Sequence, residues 1–250
     1  MKQAAPVLLV PEWPAPVGVH ALVTTRRGGS SVAPYDSFNL GTHVGDDPAA
    51  VAANRAALEQ FLPAEPAWLA QVHGVKVVDA GWAAQQAIPV EADASVSRDA
   101  GAVCVVMTAD CLPVLFASRD GSAVAAAHAG WRGLADGVLE RTLTAMQRAP
   151  KDVIAWLGPA IGPAHFEVGP EVRDIFMRRD AQAAAAFEPG KGDRWMADIF
   201  TLARQRLHAC GMPVASIFGG GLCTVERGDD FFSYRRDRTT GRMAALVWRD

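Results

Sequence analysis

The chain has 250 residues, half of them apolar, and a formal net charge of −3 from 24 basic and 27 acidic side chains. This length is sufficient for one large core, and the charge gives no electrostatic reason to expect binding to nucleic acid or to an anionic membrane. Residues 1–10 lack the features of a secretory signal, and no apolar run is long enough to span a bilayer. We therefore expect a cytoplasmic, monomeric protein that forms a single domain over residues 1–250.

Short apolar runs, separated by turns that contain Gly or Pro, make up the first half of the chain. The pattern predicts a strand over residues 17–25. It also predicts a helix that begins at Pro48 and ends before Pro63, because Asp46 and Asp47 can cap its first turn. Four further runs are short enough to be strands; they cover residues 68–78 with a break at His73, then 102–107, 113–117 and 122–128.

Helices become more frequent in the second half. Apolar residues at helical spacing follow Gly133 as far as Met146, whereas the alanine-rich residues 183–192 resemble a surface excursion. The remaining predicted elements are strands over residues 153–157, 214–218 and 243–248 and helices over 170–179 and 197–210. Strands and helices are interspersed without strict alternation, so the pattern favours a mixed-sheet α/β sandwich over a barrel.

Three residues with chemical potential lie at the ends of apolar, strand-like runs: His73, Cys111 and His128. One cysteine and two histidines can bind Zn²⁺ and leave a fourth position open, as catalytic zinc sites do. Their intervals of 38 and 17 residues match no compact zinc motif. Each histidine taken alone is more often structural, and a cysteine is often a small buried apolar residue. The joint arrangement nevertheless makes a metal site the sharper hypothesis.

Neighbouring polar residues could support such a site. Asp110 could orient a ligating histidine by accepting its second ring N–H, or it could simply cap a turn. Arg26 and Arg132 each lie beside a Gly-containing turn at the end of a strand-like run, where a guanidinium and backbone N–H groups could bind one anion. A structural salt bridge is the alternative for Arg132.

The remaining cysteines carry no such pattern. The four cysteines are scattered and show no CxxC spacing. In a reducing compartment, thiols or metal ligands are expected in place of disulfides. We expect Cys104, Cys210 and Cys223 to be structural thiols.

These motifs resemble the YfiH family, also called the polyphenol oxidase, purine nucleoside phosphorylase or peptidoglycan-editing family. The similarity covers nearly the whole chain, and its segments are Thr24–Arg26, Asn39–Gly41, Asn54-Arg55, Gln71–Gly74, Thr108–Phe116, Ala125–Gly133, Leu157–Gly162 and Phe231–Arg242. The resemblance implies a four-layer α/β/β/α sandwich with mixed sheets. It also implies that His73, Cys111 and His128 bind the metal. We further expect Arg26, Asn39 and Arg132 to bind substrate. One departure, at Ala94–Ser97, is a loose version of the family's Asp-Ala-Leu-Val-Thr segment.

The resemblance further implies a function. We expect a zinc-dependent enzyme that phosphorolyses adenosine, inosine, guanosine and methylthioadenosine and that also deaminates adenosine, with His73, Cys111, His128 and Asp110 as the catalytic set. In one alternative, Cys111 is a nucleophile and His128 its base, and they cleave an amide in a peptidoglycan precursor. In another, the same ligands hold Cu²⁺ and oxidise phenols, although six histidines are too few for a multicopper oxygen-reducing cluster. A metal-stabilised binding module without catalysis is the non-enzymatic alternative.

Overall fold

The computed structural model describes residues 5–250. Its strands are β1 (Leu8–Leu9), β2 (Val19–Thr24), β3 (Leu69–Ala70), β4 (Val77–Asp79), β5 (Val90–Glu91), β6 (Ala94–Ser97), β7 (Cys104–Thr108), β8 (Leu112–Ser118), β9 (Val124–Ala129), β10 (Val153–Leu157), β11 (Glu167–Val168), β12 (Phe187–Pro189), β13 (Trp195–Ala197), β14 (Ile217–Gly219) and β15 (Met243–Arg249). Its α-helices are α1 (Pro48–Glu59), α2 (Ala80–Ala84), α3 (Trp131–Asp136), α4 (Val138–Met146), α5 (Pro170–Arg179), α6 (Ile199–Ala209) and α7 (Tyr234–Asp237).

Two large sheets form the centre of the molecule. One has four strands in the order β1-β2-β15-β7, all antiparallel, and the other has six in the order β14-β10-β8-β9-β6-β4. The second sheet is mixed, because its two outermost pairs are parallel and the pairs between them are antiparallel. A three-stranded antiparallel sheet, β11-β13-β12, and the short parallel pair β3-β5 complete the strands.

The packing of apolar side chains produces four layers. Alternate residues of each strand point to opposite faces of a sheet, so the inner face of the six-stranded sheet (Leu115, Ala126) packs on the inner face of the four-stranded sheet (Val106). The outer face of the six-stranded sheet packs on α3 to α6, and the outer face of the four-stranded sheet packs on Leu58 of α1. This arrangement confirms the predicted α/β/β/α sandwich with mixed sheets. No helix in residues 5–250 has both the length and the apolarity required to span a bilayer.

Most predicted elements are present, and three differ. The strand predicted over residues 214–218 begins as a 3₁₀ helix at Val214–Ser216, and only Ile217 and Phe218 of that range lie in β14. The predicted helix after Gly133 is divided into α3 and α4 at Gly137, which has φ +103° and so interrupts the helical backbone. The surface excursion predicted over residues 183–192 is present from Glu188 to Gly192, which are exposed except for half-buried Gly190, but the alanine run before it is partly buried. Ala183 and Ala186 lie in a 3₁₀ helix and are 3% exposed, because they pack into the main core beside Phe187.

The sheet register brings the three candidate ligands to one edge of the sandwich. Cys111 lies in the turn between β7 and β8, and the first residue of β8, Leu112, pairs with Ala129 at the end of β9. His128 is therefore beside this turn. His73 lies in the loop between β3 and β4, and β4 pairs with β6, the neighbour of β9.

Candidate metal centre

The side chains of His73, Cys111 and His128 converge. One ligand atom from each lies within 4.8 Å of the other two, and Nε2 of His73 is 3.6 Å from Sγ of Cys111. A tetrahedral zinc with ordinary Zn–S and Zn–N bonds would hold sulfur and nitrogen about 3.6 Å apart. The imidazole rings are 4.8 Å apart at 67°, edge to face. The donor set and its spacing therefore fit a zinc-class ion.

The His73 loop is held in an unusual backbone conformation. His73 has φ +62°, which is uncommon for a residue with a side chain and is retained where surrounding contacts enforce it. One such contact is made by Gln71, whose side chain donates to the carbonyl of Met107 (2.8 Å) and accepts from its N–H (2.7 Å). The side chain of Gln71 thus pairs with both backbone groups of Met107, as a residue of a neighbouring strand would, and attaches the His73 loop to the end of β7.

Asp93 organises both histidines. Its Oδ1 accepts from the N–H of His73 (2.9 Å) and lies 2.8 Å from Nδ1 of His128, and its Oδ2 accepts from the N–H of Val72 (3.2 Å) and of Gly74 (2.7 Å). Asp93 is fully buried. A carboxylate on Nδ1 leaves Nε2 of His128 available to a metal, which is a common arrangement around metal-binding histidines.

Gly130 makes the convergence sterically possible. A Cβ on this residue would lie 2.7 Å from Cδ2 of His73 and 3.0 Å from Sγ of Cys111. The first distance is shorter than real Cβ contacts. Only glycine allows the turn after β9 to approach the two ligands so closely.

Asp110 has a different role from the one predicted. Its Oδ1 accepts from Oγ1 of Thr224 and its Oδ2 from the N–H of Arg235, both at 2.6 Å. It forms no hydrogen bond with His73 or His128, so the expectation that it orients a ligating histidine is corrected; Asp93 does so instead. Asp110 has φ +88° and ties the Cys111 turn to the loops on the other side of the site.

The charges of the ligands reinforce one another when no metal is bound. Burial opposes ionisation of Cys111, but the adjacent His128 and His73 outweigh this effect and lower the pKa of the thiol below its usual value of 9.0. Burial also opposes protonation of His128, but Cys111 and Asp93 outweigh it and raise the pKa of the imidazole. The metal-free site therefore favours a thiolate beside an imidazolium.

The predicted substrate-binding residues are distributed differently. The Arg26 guanidinium donates to the carbonyls of Asp36 (2.9 Å) and Gly228 (3.0 Å) and also pairs with the Asp36 carboxylate. Among residues 5–250 it forms no hydrogen bond with the three ligands, and it lines a separate surface cleft with Gly28. The structure does not bring Arg26 to Cys111.

Asn39 and Arg132 have different surroundings. Asn39 is fully buried, and its Oδ1 accepts from the N–H groups of Gly41 (2.9 Å) and Arg242 (2.8 Å), so it supports the loop instead of facing solvent. Arg132 is exposed, and its guanidinium lies over the ring of Trp131, two residues after Gly130. Arg132 thus remains a candidate for binding an anion beside the ligands.

Arg242 was missed by the sequence interpretation as an individual site residue. The pairing of Met243 with Thr108 brings it to the Cys111 turn, and its side-chain stem packs on Gly41. Burial lowers the pKa of Arg242, and the negative charges of Cys111 and Asp110 oppose this shift. Its Nη1 donates to Thr240 and Gly241, whereas Nε and Nη2 have no protein acceptor within residues 5–250. An arginine with free donors beside the ligands is a candidate for binding an anion.

Comparison with known proteins identifies the family. A family model described as multi-copper polyphenol oxidoreductase laccase matches residues 20–250. The purine nucleoside phosphorylase YfiH of Escherichia coli K12 is 55% identical over 246 residues, which cover 96% of this chain and 98% of that protein. The chain belongs to the YfiH family.

Solved structures agree with this YfiH-family assignment. A crystal structure of a Neisseria meningitidis protein superimposes with a TM-score of 0.93 at 51% identity and covers 97% of this chain and 99% of its own. YlmD of Geobacillus stearothermophilus superimposes with a TM-score of 0.89 at 33% identity and covers 99% and 98%. The predicted family and fold are both confirmed, and the site residues all lie within the range matched by the family model.

Proposed function

We propose that the chain is a zinc-dependent purine nucleoside phosphorylase that acts on adenosine, inosine, guanosine and methylthioadenosine and that also deaminates adenosine. The convergence of His73, Cys111 and His128 beneath Gly130 carries this proposal. The name of the E. coli relative supports the phosphorylase activity. We propose one domain over residues 1–250 and a cytoplasmic location. All three candidate ligands come from one chain, which supports action as a monomer.

The residues divide the chemical work. His73, Cys111 and His128 would hold the zinc, which supplies a Lewis acid that can activate water. Asp93 accepts a hydrogen bond from Nδ1 of His128 and so holds the proton on that nitrogen, which leaves Nε2 available as a metal ligand. In deamination, water replaces the amino group at C6 of adenine and ammonia leaves. Asp110, next to Cys111, is the candidate for moving the proton, although its carboxylate already accepts two hydrogen bonds.

Phosphorolysis requires an anion site. A phosphate oxygen forms a bond to C1′ of the ribose while the bond from C1′ to N9 breaks, and the base leaves with a proton. Arg242 and Arg132 are the arginines best placed to hold this phosphate, because Arg242 reaches the Cys111 turn and Arg132 follows Gly130, and both have guanidinium donors without an acceptor among residues 5–250. Guanidinium binds phosphate with two parallel hydrogen bonds.

A thiol-dependent amide hydrolase is the second candidate function. Cys111, His128 and Asp93 form a nucleophile, base and orienting carboxylate in sequence, with the Asp93 to His128 contact at 2.8 Å. This arrangement would suit cleavage of an amide in a peptidoglycan precursor. Copper is the alternative metal, since two histidines and a cysteine also bind Cu²⁺ and the matched family carries a copper-based description.

One experiment separates these functions. Metal content is measured together with turnover of adenosine, inosine, guanosine and methylthioadenosine, each with and without phosphate. We expect about one zinc per site, loss of both activities after chelation, and recovery with zinc. Cys111→Ala should abolish both, while the matched control Cys210→Ala should retain them. Amide cleavage that survives chelation but not alkylation would instead identify the hydrolase, and phenol oxidation dependent on copper would identify the oxidase.

A further inference from the structure

A second group of potential metal ligands lies outside the triad, the name we give to His73, Cys111 and His128. His165, Cys223 and Glu226 each offer a ligand atom within 4.8 Å of the other two, and Nε2 of His165 is 3.2 Å from Oε1 of Glu226. Within residues 5–250, no other set of three His, Cys, Asp or Glu side chains besides the triad meets this spacing. We refer to His165, Cys223 and Glu226 as the second cluster.

The sulfur of the second cluster is held in place by the backbone. The N–H of Gly162 points at Sγ of Cys223 (3.2 Å), and a Cβ on Gly162 would lie 3.0 Å from that sulfur. Ala160 pairs with Cys223 in an isolated parallel bridge, and the N–H of Thr224 donates to the carbonyl of Ala160 (3.0 Å). Cys223 is 4% exposed. Its sulfur is therefore fixed on the side of the loop that carries His165.

The other two ligands are carried on turns that are also fastened. The N–H of His165 donates to the carbonyl of Gly162 (3.0 Å), and the N–H of Arg227, next to Glu226, donates to that of Cys223 (3.1 Å). The carbonyl of His165 accepts from Nη1 of Arg235 (3.1 Å). Because the two turns are tied at their backbones, the three ligand atoms face one another before any ion binds. Such preorganisation lowers the entropic cost of binding an ion.

The donor set selects the class of ion. Thiolate, imidazole and carboxylate together suit zinc and its close relatives, whereas Mg²⁺ and Ca²⁺ prefer ligands that are all oxygen. The side chains of His165 and Glu226 are 37% and 57% exposed, so an ion can reach the cluster from solvent and can keep water in its fourth position. We propose that the second cluster binds a zinc-class divalent ion through His165, Cys223 and Glu226, separately from the triad.

This ion would bear on the first site through Thr224 and through Arg235, whose Nη1 donates to the carbonyl of His165 and whose N–H donates to Asp110. Thr224, which follows Cys223, donates from Oγ1 to the carboxylate of Asp110 (2.6 Å), and Asp110 precedes Cys111. An ion at the second cluster would therefore fix the loop that anchors the Cys111 turn. Cys223, which the sequence predicts to be a structural thiol, is a metal ligand in this proposal. Its substitution would make the loop that contacts Asp110 less rigid but would remove none of the triad ligands.

Cobalt titration tests the proposal. The full-length protein is stripped with a chelator and titrated with Co²⁺, because thiolate ligation gives an intense near-ultraviolet charge-transfer band that reports each Co–S bond. We expect wild type to bind two equivalents and both Cys111→Ala and Cys223→Ala to bind one, each with a thiolate band. The double variant should lose the band, and the matched control Cys210→Ala should keep both equivalents.

Two exposed-site variants keep the test informative if Cys223→Ala fails to fold. Glu226→Gln and His165→Gln change side chains that are 57% and 37% exposed. Each variant removes one ligand of the second cluster, so the affinity of that cluster for Co²⁺ should fall about 10-fold or more. The affinity of the triad for Co²⁺ should stay unchanged. A Cys111→Ala variant that binds no Co²⁺ or gives no thiolate band would overturn the proposal and leave His165 and Glu226 as a surface ion pair. A Cys111→Ala variant that keeps the band would support it whether or not the triad also binds Co²⁺.

Discussion

Replacing Asp93 by Asn tests whether one buried carboxylate organises the metal centre. Each Asp93 oxygen faces two donors: Oδ1 faces the His73 N–H and His128 Nδ1, and Oδ2 faces the N–H groups of Val72 and Gly74. An amide has only one acceptor oxygen, so either orientation leaves two donors facing an NH₂ group, and the less costly orientation leaves the part-buried N–H groups of Val72 and Gly74. An unsatisfied buried donor costs about 1–3 kcal/mol. Because these two N–H groups are only part-buried, we expect Asp93→Asn to lower the free energy of unfolding by about 1–3 kcal/mol in total.

Urea unfolding of the metal-free protein measures this loss, and competition with a chromophoric chelator measures the change in zinc affinity. We expect zinc binding to weaken about 10- to 100-fold, since the His128 tautomer is no longer held. Burial would raise the pKa of Asp93, but the hydrogen bonds from His128 and the backbone outweigh it and lower the pKa below 3.8. The carboxylate thus stabilises the fold above pH 3.8, and this contribution disappears as the pH falls through the depressed value. The difference in unfolding free energy between Asp93→Asn and wild type should therefore become smaller as the pH falls below 3.8.

The matched control is Asp79→Asn. The Oδ1 of Asp79 accepts one hydrogen bond, from the N–H of Trp82 at the start of α2, and an amide oxygen can keep it. This variant should lie within about 0.5 kcal/mol of wild type. If Asp93→Asn matched the control in unfolding free energy and also kept wild-type zinc affinity, the role assigned to Asp93 would be wrong.

Three further predictions concern the same centre. Gly130→Ala should weaken zinc binding strongly at little cost to the stability of the fold, because its Cβ would clash with His73. The control Gly81→Ala, whose Cβ would make only ordinary contacts, should keep wild-type zinc affinity. Equal zinc affinities of the two variants in a chelator competition would contradict the steric argument. In the metal-free protein, the alkylation rate of Cys111 should reach half its maximum at a lower pH than that of an ordinary thiol, because the pKa of Cys111 is lowered. The corresponding pH for Cys210 should be higher, because burial raises the pKa of that thiol. Zinc should protect Cys111 from alkylation, and mass spectrometry of the modified peptides identifies the cysteine that reacts. Arg242→Lys should reduce phosphorolysis about 10-fold or more but adenosine deamination much less, because lysine keeps the charge and loses the paired donors; equal losses would assign Arg242 to the nucleoside or the fold.

Local sequence patterns determined most elements and selected the three candidate ligands. The strand over residues 153–157 and the helix over 170–179 match the structure residue for residue, because hydrophobic periodicity and capping act over neighbouring positions. Asp47 caps α1 as its position before Pro48 indicated. His73, Cys111 and His128 could be selected because each reactive side chain follows or ends an apolar run beside a turn.

Only the tertiary structure decided what surrounds these ligands. Asp93 lies 20 residues from His73 and 35 from His128, and an acidic residue before a short strand has no local signature that distinguishes a metal-site carboxylate from a turn residue. Arg242 reaches the Cys111 turn only through the pairing of β15 with β7. Gly130 is recognisable as a steric requirement only once the two ligands lie against it. Hydrogen-bond partners and close contacts of this kind depend on how distant strands pack, and residue spacing along the chain does not encode them.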